Sequence, residues 1–202
     1  MTAAGAGSPR PATVLFVCTG NICRSPLGAQ LLVARLGDAA GSFDVRSAGT
    51  YAEDGAPMDA AAAAQSERLG GHPAAHASTP LSPERIAAAD LVLTADRTHR
   101  AAVVGDVPRA SRTTFTILQA ARLIAGLEPE DRDAVDDVPS LVAAMAVAKS
   151  YVAPVLDPSD DDVEDPYRRS TATHERVADR ISDAVDVIAD ALRATVAEVR
   201  RS

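Results

Sequence analysis

The sequence predicts an α/β fold: a four-stranded parallel sheet with helices packed on both of its faces. Two observations predict it. Short apolar runs alternate with helix-length segments along the chain. The runs are near-continuous rather than alternating, as strands buried on both faces are.

The first run, Val14–Cys18, is four apolar residues leading into a Cys and reads as a buried strand. Leu27–Leu36 is helix-like, and Phe43–Ser47 is a second short strand before Gly49. The Ala-rich Met58–Leu69 reads as a helix, as does the short Pro83–Ala89. "ADLVLTAD" carries a third buried strand, Thr98–Val104 a further helix, and "RTTFTIL" the fourth strand. Ala121–Ala148 is mostly helical but broken by an acidic, Pro-containing stretch, and Tyr151–Pro166 is a loop with the dense run "LDPSDDDVEDP". Val177, Ile181, Val185, Ile188, Leu192 and Val196, in steps of four and three, mark one long amphipathic closing helix.

A chain of 202 residues that is 47% hydrophobic can bury a sizeable core, and with 3% aromatics and no Trp that core is aliphatic. Neither a repeat nor a second domain is visible: residues 1–12 read as a disordered lead, and 13–202 as one domain extended around 121–164. The formal net charge of -8 argues against nucleic acid or an anionic membrane as a partner, and no run reaches the roughly 20 apolar residues of a membrane span. Two cysteines five residues apart are no disulfide framework, and they suit a reducing cytoplasm. The N-terminal stretch lacks the apolar core of a signal peptide.

The chemistry sits in "VCTGNICRSP". Ser25-Pro26 suits a helix cap and first turn, so the free amides and positive dipole end of that helix face back toward Cys18. Between strand and helix, Thr19–Cys23 must curl. Gly20 permits close backbone approach and Asn21 tolerates a left-handed conformation, which together make an inward-pointing amide nest for an anion. A free thiol titrates near ~8.5, and a helix start with a nearby Arg lowers that by several units, so Cys18 is expected as a thiolate. Arg24 adds a planar fork for two phosphate oxygens. The pattern points to phosphoryl transfer onto sulfur followed by hydrolysis. No His and no second Cys pair lies close enough for a metal site, and the nucleotide-binding pattern G-x4-G-K-[ST] is missing.

With "SAGT" and a late "EDPY", this loop resembles that of the low-molecular-weight protein tyrosine phosphatases, over about Thr13 to Leu192. The resemblance implies a three-layer, flavodoxin-like sheet, a cytoplasmic enzyme without cofactor, and phosphotyrosine-containing proteins as substrates. It implies Cys18 as nucleophile, Arg24 as phosphate-binding and transition-state-stabilising group, and Asp165 as general acid, with Asp157 before Pro158 as rival. The phosphate cradle would be Thr19, Gly20, Asn21, Ile22, Cys23, Arg24 and Ser25, with Ser25 also hydrogen-bonding the thiolate. Ser47 and His76 would support Asn21, and Asp96 would be a structural acid. Cys23 is either a packed thiol or a reversible disulfide partner of Cys18 under oxidation.

Three departures from the family pattern bear on substrate. The loop after "SAGT" has Tyr51 and Glu53 but no Trp, whereas many relatives place an aromatic there to wall the substrate ring; Tyr167 is followed by Arg168 instead of a second aromatic; and the stretch before Asp165 is long. Ile22 favours phosphotyrosine, since relatives acting on phosphoarginine carry Thr there. The alternatives are an arsenate reductase on the same fold, which would need a cysteine relay that this chain lacks beyond Cys23, and a phosphate-binding module without catalysis.

Overall fold

The computed structural model describes residues 10–199, with side chains through residue 196. Residues 1–9, most of the expected lead, lie outside the described residues. Arg10 is already pinned to Asp90 through two hydrogen bonds of 2.9 and 2.7 Å, and Ala12 begins the first strand.

Among the described residues, four strands form one parallel sheet: β1 (Ala12–Cys18), β2 (Phe43–Gly49), β3 (Leu91–Thr94) and β4 (Thr114–Thr116). Their order is β2-β1-β3-β4. Chain order reverses about β1, so the crevice at the carboxyl end of β1 is the topological switch point where ligands bind such sheets. Cys18 is the last residue of β1, paired with Gly49 of β2.

Among the described residues, eight α-helices surround the sheet: α1 (Arg24–Leu36), α2 (Ala60–Arg68), α3 (Pro83–Ala88), α4 (Arg97–Asp106), α5 (Ile117–Ala125), α6 (Pro129–Asp133), α7 (Val138–Ala148) and α8 (Thr171–Val199). One apolar layer packs α1, α2, α5, α7 and α8 on the sheet through Phe16, Leu31, Phe115 and Ile181, among others. The opposite layer is smaller: Leu15, Val17 and Val92 meet Ile86 of α3 and Val103 of α4. Among the described residues, no helix is long and apolar enough to cross a membrane.

Two expectations shift. "RTTFTIL" yields only three strand residues, because the Thr116 hydroxyl accepts from the Gln119 N–H and starts α5 at Ile117. The long apolar run thus serves two elements. At α1, Ser25 is not the cap. The helix starts at Arg24, and the cap residue Cys23 makes no side-chain hydrogen bond. Ser25 turns its hydroxyl into the loop instead, which leaves the first amides of α1 without a side-chain cap.

Candidate active site

The loop between β1 and α1 is shaped by Asn21, which is fully buried at φ 54°. Such a left-handed residue is held only by its surroundings. The Asn21 amide donates to Ser25 Oγ (2.9 Å) and Ser47 Oγ (2.8 Å), and its Oδ1 accepts from the Thr79 N–H (2.8 Å). Its backbone carbonyl accepts from His76 Nε2 at 2.7 Å. Ser47 and His76 therefore both meet Asn21, one at the side chain and the other at the main chain. On the β2 side, Thr50 and Tyr51 donate backbone hydrogen bonds to the carbonyls of Cys18 and Thr19, both at 2.9 Å.

Cys18 Sγ lies 2.9 Å from Ser25 Oγ at the floor of a cavity of about 320 Å³. Thr19, Gly20, Ile22, Cys23 and Arg24 line its base; Tyr51, Glu53, Ala56, Asp165 and Tyr167 form its walls. Tyr51 is 86% exposed, and the Tyr167 ring carries the Arg168 guanidinium 5.0 Å from its centre. Cys23 is buried, and burial pushes its thiol well above the ordinary range, with Asp59, Cys18 and Asp165 adding to the effect. Both cysteines are free thiols.

Arg24 is only 4% exposed. Its Nη1 donates to Val163 O (3.0 Å) and Asp96 Oδ2 (3.3 Å), and its Nη2 faces Thr19 Oγ1 (3.4 Å) and Asp165 Oδ2 (3.3 Å). Among the described residues, its Nε is buried without a partner. A guanidinium anchored through one nitrogen, with another buried and unpaired beside a cavity, has donors that an oxyanion can accept from. Asp96 caps α4 through the His99 N–H (2.9 Å). Burial raises the Asp96 carboxyl, but hydrogen bonds from His99 and the charges of His99 and Arg24 outweigh it and hold it down at about 2.

The rival acid stands apart. Asp157 does not line the cavity; its Oδ1 accepts from the N–H and hydroxyl of Ser159 and caps the 3-10 turn at Pro158–Asp161. Sequence reasoning missed His99, a 5%-exposed imidazole that reaches Thr19 Oγ1 at 2.9 Å. Its one sequence signal is a His three residues after a helix-capping Asp, directly following a buried strand.

Sheet, loop and buried arginine together define the class: a phosphatase on a doubly wound α/β scaffold. Residues 13–120 match the family model described as "Low molecular weight phosphotyrosine protein phosphatase". A protein-arginine-phosphatase of Geobacillus stearothermophilus is 38% identical over 109 residues, 54% of this chain and 71% of that protein. A low molecular weight protein-tyrosine-phosphatase of Escherichia coli (strain K12) is 37% identical over 103 residues, 51% of this chain and 67% of that protein. Among solved structures, an arginine phosphatase from Geobacillus stearothermophilus superimposes with a TM-score of 0.67 at 25% identity, covering 95% of this chain and 98% of that one. A low molecular weight protein tyrosine phosphatase from T. tengcongensis gives 0.65 at 26% identity, over 89% and 98%. The chain belongs to the low molecular weight phosphotyrosine protein phosphatase family; it is a hydrolase of the protein phosphatase type. Asp165 lies beyond the residues that the family model matches.

Proposed function

We propose that the protein hydrolyses phosphotyrosine in cytoplasmic proteins through a cysteinyl-phosphate intermediate, with residues 13–202 as the phosphatase domain. The observation that carries the reading is the unpaired, buried Nε of Arg24 beside the Cys18 cavity. A phosphoryl group seated there takes Nε and Nη2 as a fork, together with loop amides from Thr19 to Ser25. The Cys18 thiolate attacks phosphorus opposite the ester oxygen. The S–P bond forms as the P–O bond to the phenol breaks, and the Asp165 carboxyl gives its proton to the leaving oxygen. Water then attacks phosphorus, Asp165 takes its proton, and the S–P bond breaks to return the thiolate, which the Ser25 hydroxyl stabilises. Asp165 Oδ2 sits 3.3 Å from Arg24 Nη2. A bound dianion takes over Arg24 and leaves Asp165 to face the leaving oxygen.

Ile22, Tyr51 and Tyr167 around the cavity support an aromatic ester as the substrate. Hydrolysis of p-nitrophenyl phosphate by wild type, Cys18→Ser, Asp165→Asn and Asp157→Asn tests the roles. Cys18→Ser is expected to abolish turnover, and Asp165→Asn to lower kcat by about 10²-fold or more. Asp157→Asn should stay near wild type, and a crippled Asp157→Asn would reassign the acid. Wild type that binds phosphate without turnover would make the chain a binding module. Matched peptides carrying phosphotyrosine or phosphoarginine decide specificity; faster release from phosphoarginine would overturn the tyrosine assignment.

A further inference from the structure

His99 has no part in the chemistry just described, yet it is 5% exposed and lies behind the guanidinium. Its Nε2 is 2.9 Å from Thr19 Oγ1. Its Nδ1 lies 2.8 Å from Asp96 Oδ1 as an ion-pair contact and, among the described residues, makes no hydrogen bond. Asp96 Oδ2 accepts from Arg24 Nη1, and Thr19 Oγ1 faces Arg24 Nη2. These contacts close a ring: Arg24, Thr19, His99, Asp96 and back to Arg24.

The ring fixes a direction for each proton. Two bare acceptors 2.8 Å apart would repel, so the Nδ1 that faces the Asp96 carboxylate carries a proton. In the singly protonated imidazole, Nε2 is then the acceptor, and the Thr19 hydroxyl donates to it. That leaves the lone pairs of Thr19 Oγ1 turned to Arg24 Nη2. We propose that His99 is a positioning residue for Arg24: it orients Thr19 and Asp96 so that both Nη groups are held from behind while Nε and the remaining N–H of Nη2 are left for the phosphoryl group. This rests on the reading of Arg24 as the phosphate-binding group. Charge alone would not need the imidazole, because Asp96 already faces Arg24. The imidazole supplies the tie between the two separate supports of one guanidinium.

The test compares wild type, His99→Ala, Asp96→Asn, His99→Asn and His99→Ala/Asp96→Asn. Readouts are phosphate affinity by calorimetry, KM and kcat for p-nitrophenyl phosphate, thermal melting, and the ring nitrogen signals of ¹⁵N-labelled His99. In His99→Ala, phosphate affinity and KM are expected to worsen about tenfold or more, through misplacement of Arg24. His99→Asn, a small polar side chain able to donate to Asp96, regains part of that loss. The double variant loses much less than the product of the single losses, because one ring is broken in each. Wild-type His99 shows a protonated Nδ1 and a bare Nε2 at neutral pH. Phosphate affinity and KM within twofold of wild type in folded His99→Ala overturn the proposal. If that variant does not fold, His99→Asn and the wild-type nitrogen signals decide, and a bare Nδ1 with a protonated Nε2 overturns it. A wild type that binds phosphate but does not turn over ester defeats the enzymatic reading alone, since the affinity comparison still tests the ring.

Discussion

At the scale of single residues, the cavity depends on atoms that are absent as much as on those present. A Cβ on Gly49 would lie 2.4 Å from Thr19 O and 2.8 Å from Asn21 N, both of them backbone atoms of the loop. Backbone cannot give way as a flexible side chain can, so Gly49→Ala is expected to push the loop off its geometry. The expected loss in kcat/KM is about 10²-fold, with an overpacking penalty of roughly 1–3 kcal/mol in urea unfolding. Activity within twofold of wild type would show that the loop tolerates the shift. Asp96 carries a second prediction. Its carboxyl, held at about 2 in the fold against an ordinary 3.8, stabilises the fold above pH 3.8, and that contribution is lost as pH falls toward 2. The difference is worth about 2 kcal/mol. The stability gap between wild type and Asp96→Asn, measured by urea unfolding, should therefore narrow over that window. A gap constant from pH 5 to pH 2 would mean that the charge of Asp96 is not what stabilises.

At the scale of elements, the Cys18 loop was legible and the acidic segment much less so, for a physical reason. Strand end, Gly, Asn, Arg and helix start are consecutive in "VCTGNICRSP", so local chemistry specifies their arrangement. The helix cap was misplaced by two residues, because the Ser25 hydroxyl has better partners in Cys18 and Asn21 than in the α1 amides. The run Asp160–Asp165 reads as a solvated loop, yet Asp161, Asp162, Glu164 and Asp165 each have an arginine partner from elsewhere in the chain. Arg122 of α5 holds buried Asp161 at 3.2 and 2.7 Å, Arg97 of α4 holds Asp162, and Arg176 of α8 holds Glu164. The Val163 N–H and carbonyl bond to Ala95 and Arg24. No periodicity in sequence announces such pairings; they exist only once the sheet has brought the helices together. His99 was hidden in the same way, since its partners at Thr19 and Asp96 converge through β1 and β3. Arg122→Met keeps the stem but strands a buried carboxylate, which should cost roughly 3 kcal/mol in urea unfolding and lower kcat through the strap that carries Asp165. A cost under about 1 kcal/mol would mean that water reaches Asp161 freely.

At the scale of the whole molecule, the charge of the chain opposes the charge of its ligand. A formal net charge of -8 surrounds a site that takes a phosphoryl dianion. Among the described residues, the one cation lining the cavity, Arg24, is buried and shares its field with Asp96 and Asp165. At 10 mM ionic strength the screening length is about 30 Å, so most of the protein's charges act on an approaching substrate, whereas at 150 mM it is about 8 Å and only the rim of the cavity acts. For a phosphopeptide with acidic flanks, kcat/KM is therefore expected to rise severalfold between those conditions. For one with basic flanks it should fall. In both cases kcat at saturation should barely move, because the field acts on encounter and not on the enclosed reaction. Initial rates for two such peptides of equal length, across a sodium chloride series, measure this directly. Parallel salt responses for the two peptides would place the effect in the loop itself and leave the molecular field without a role in substrate choice.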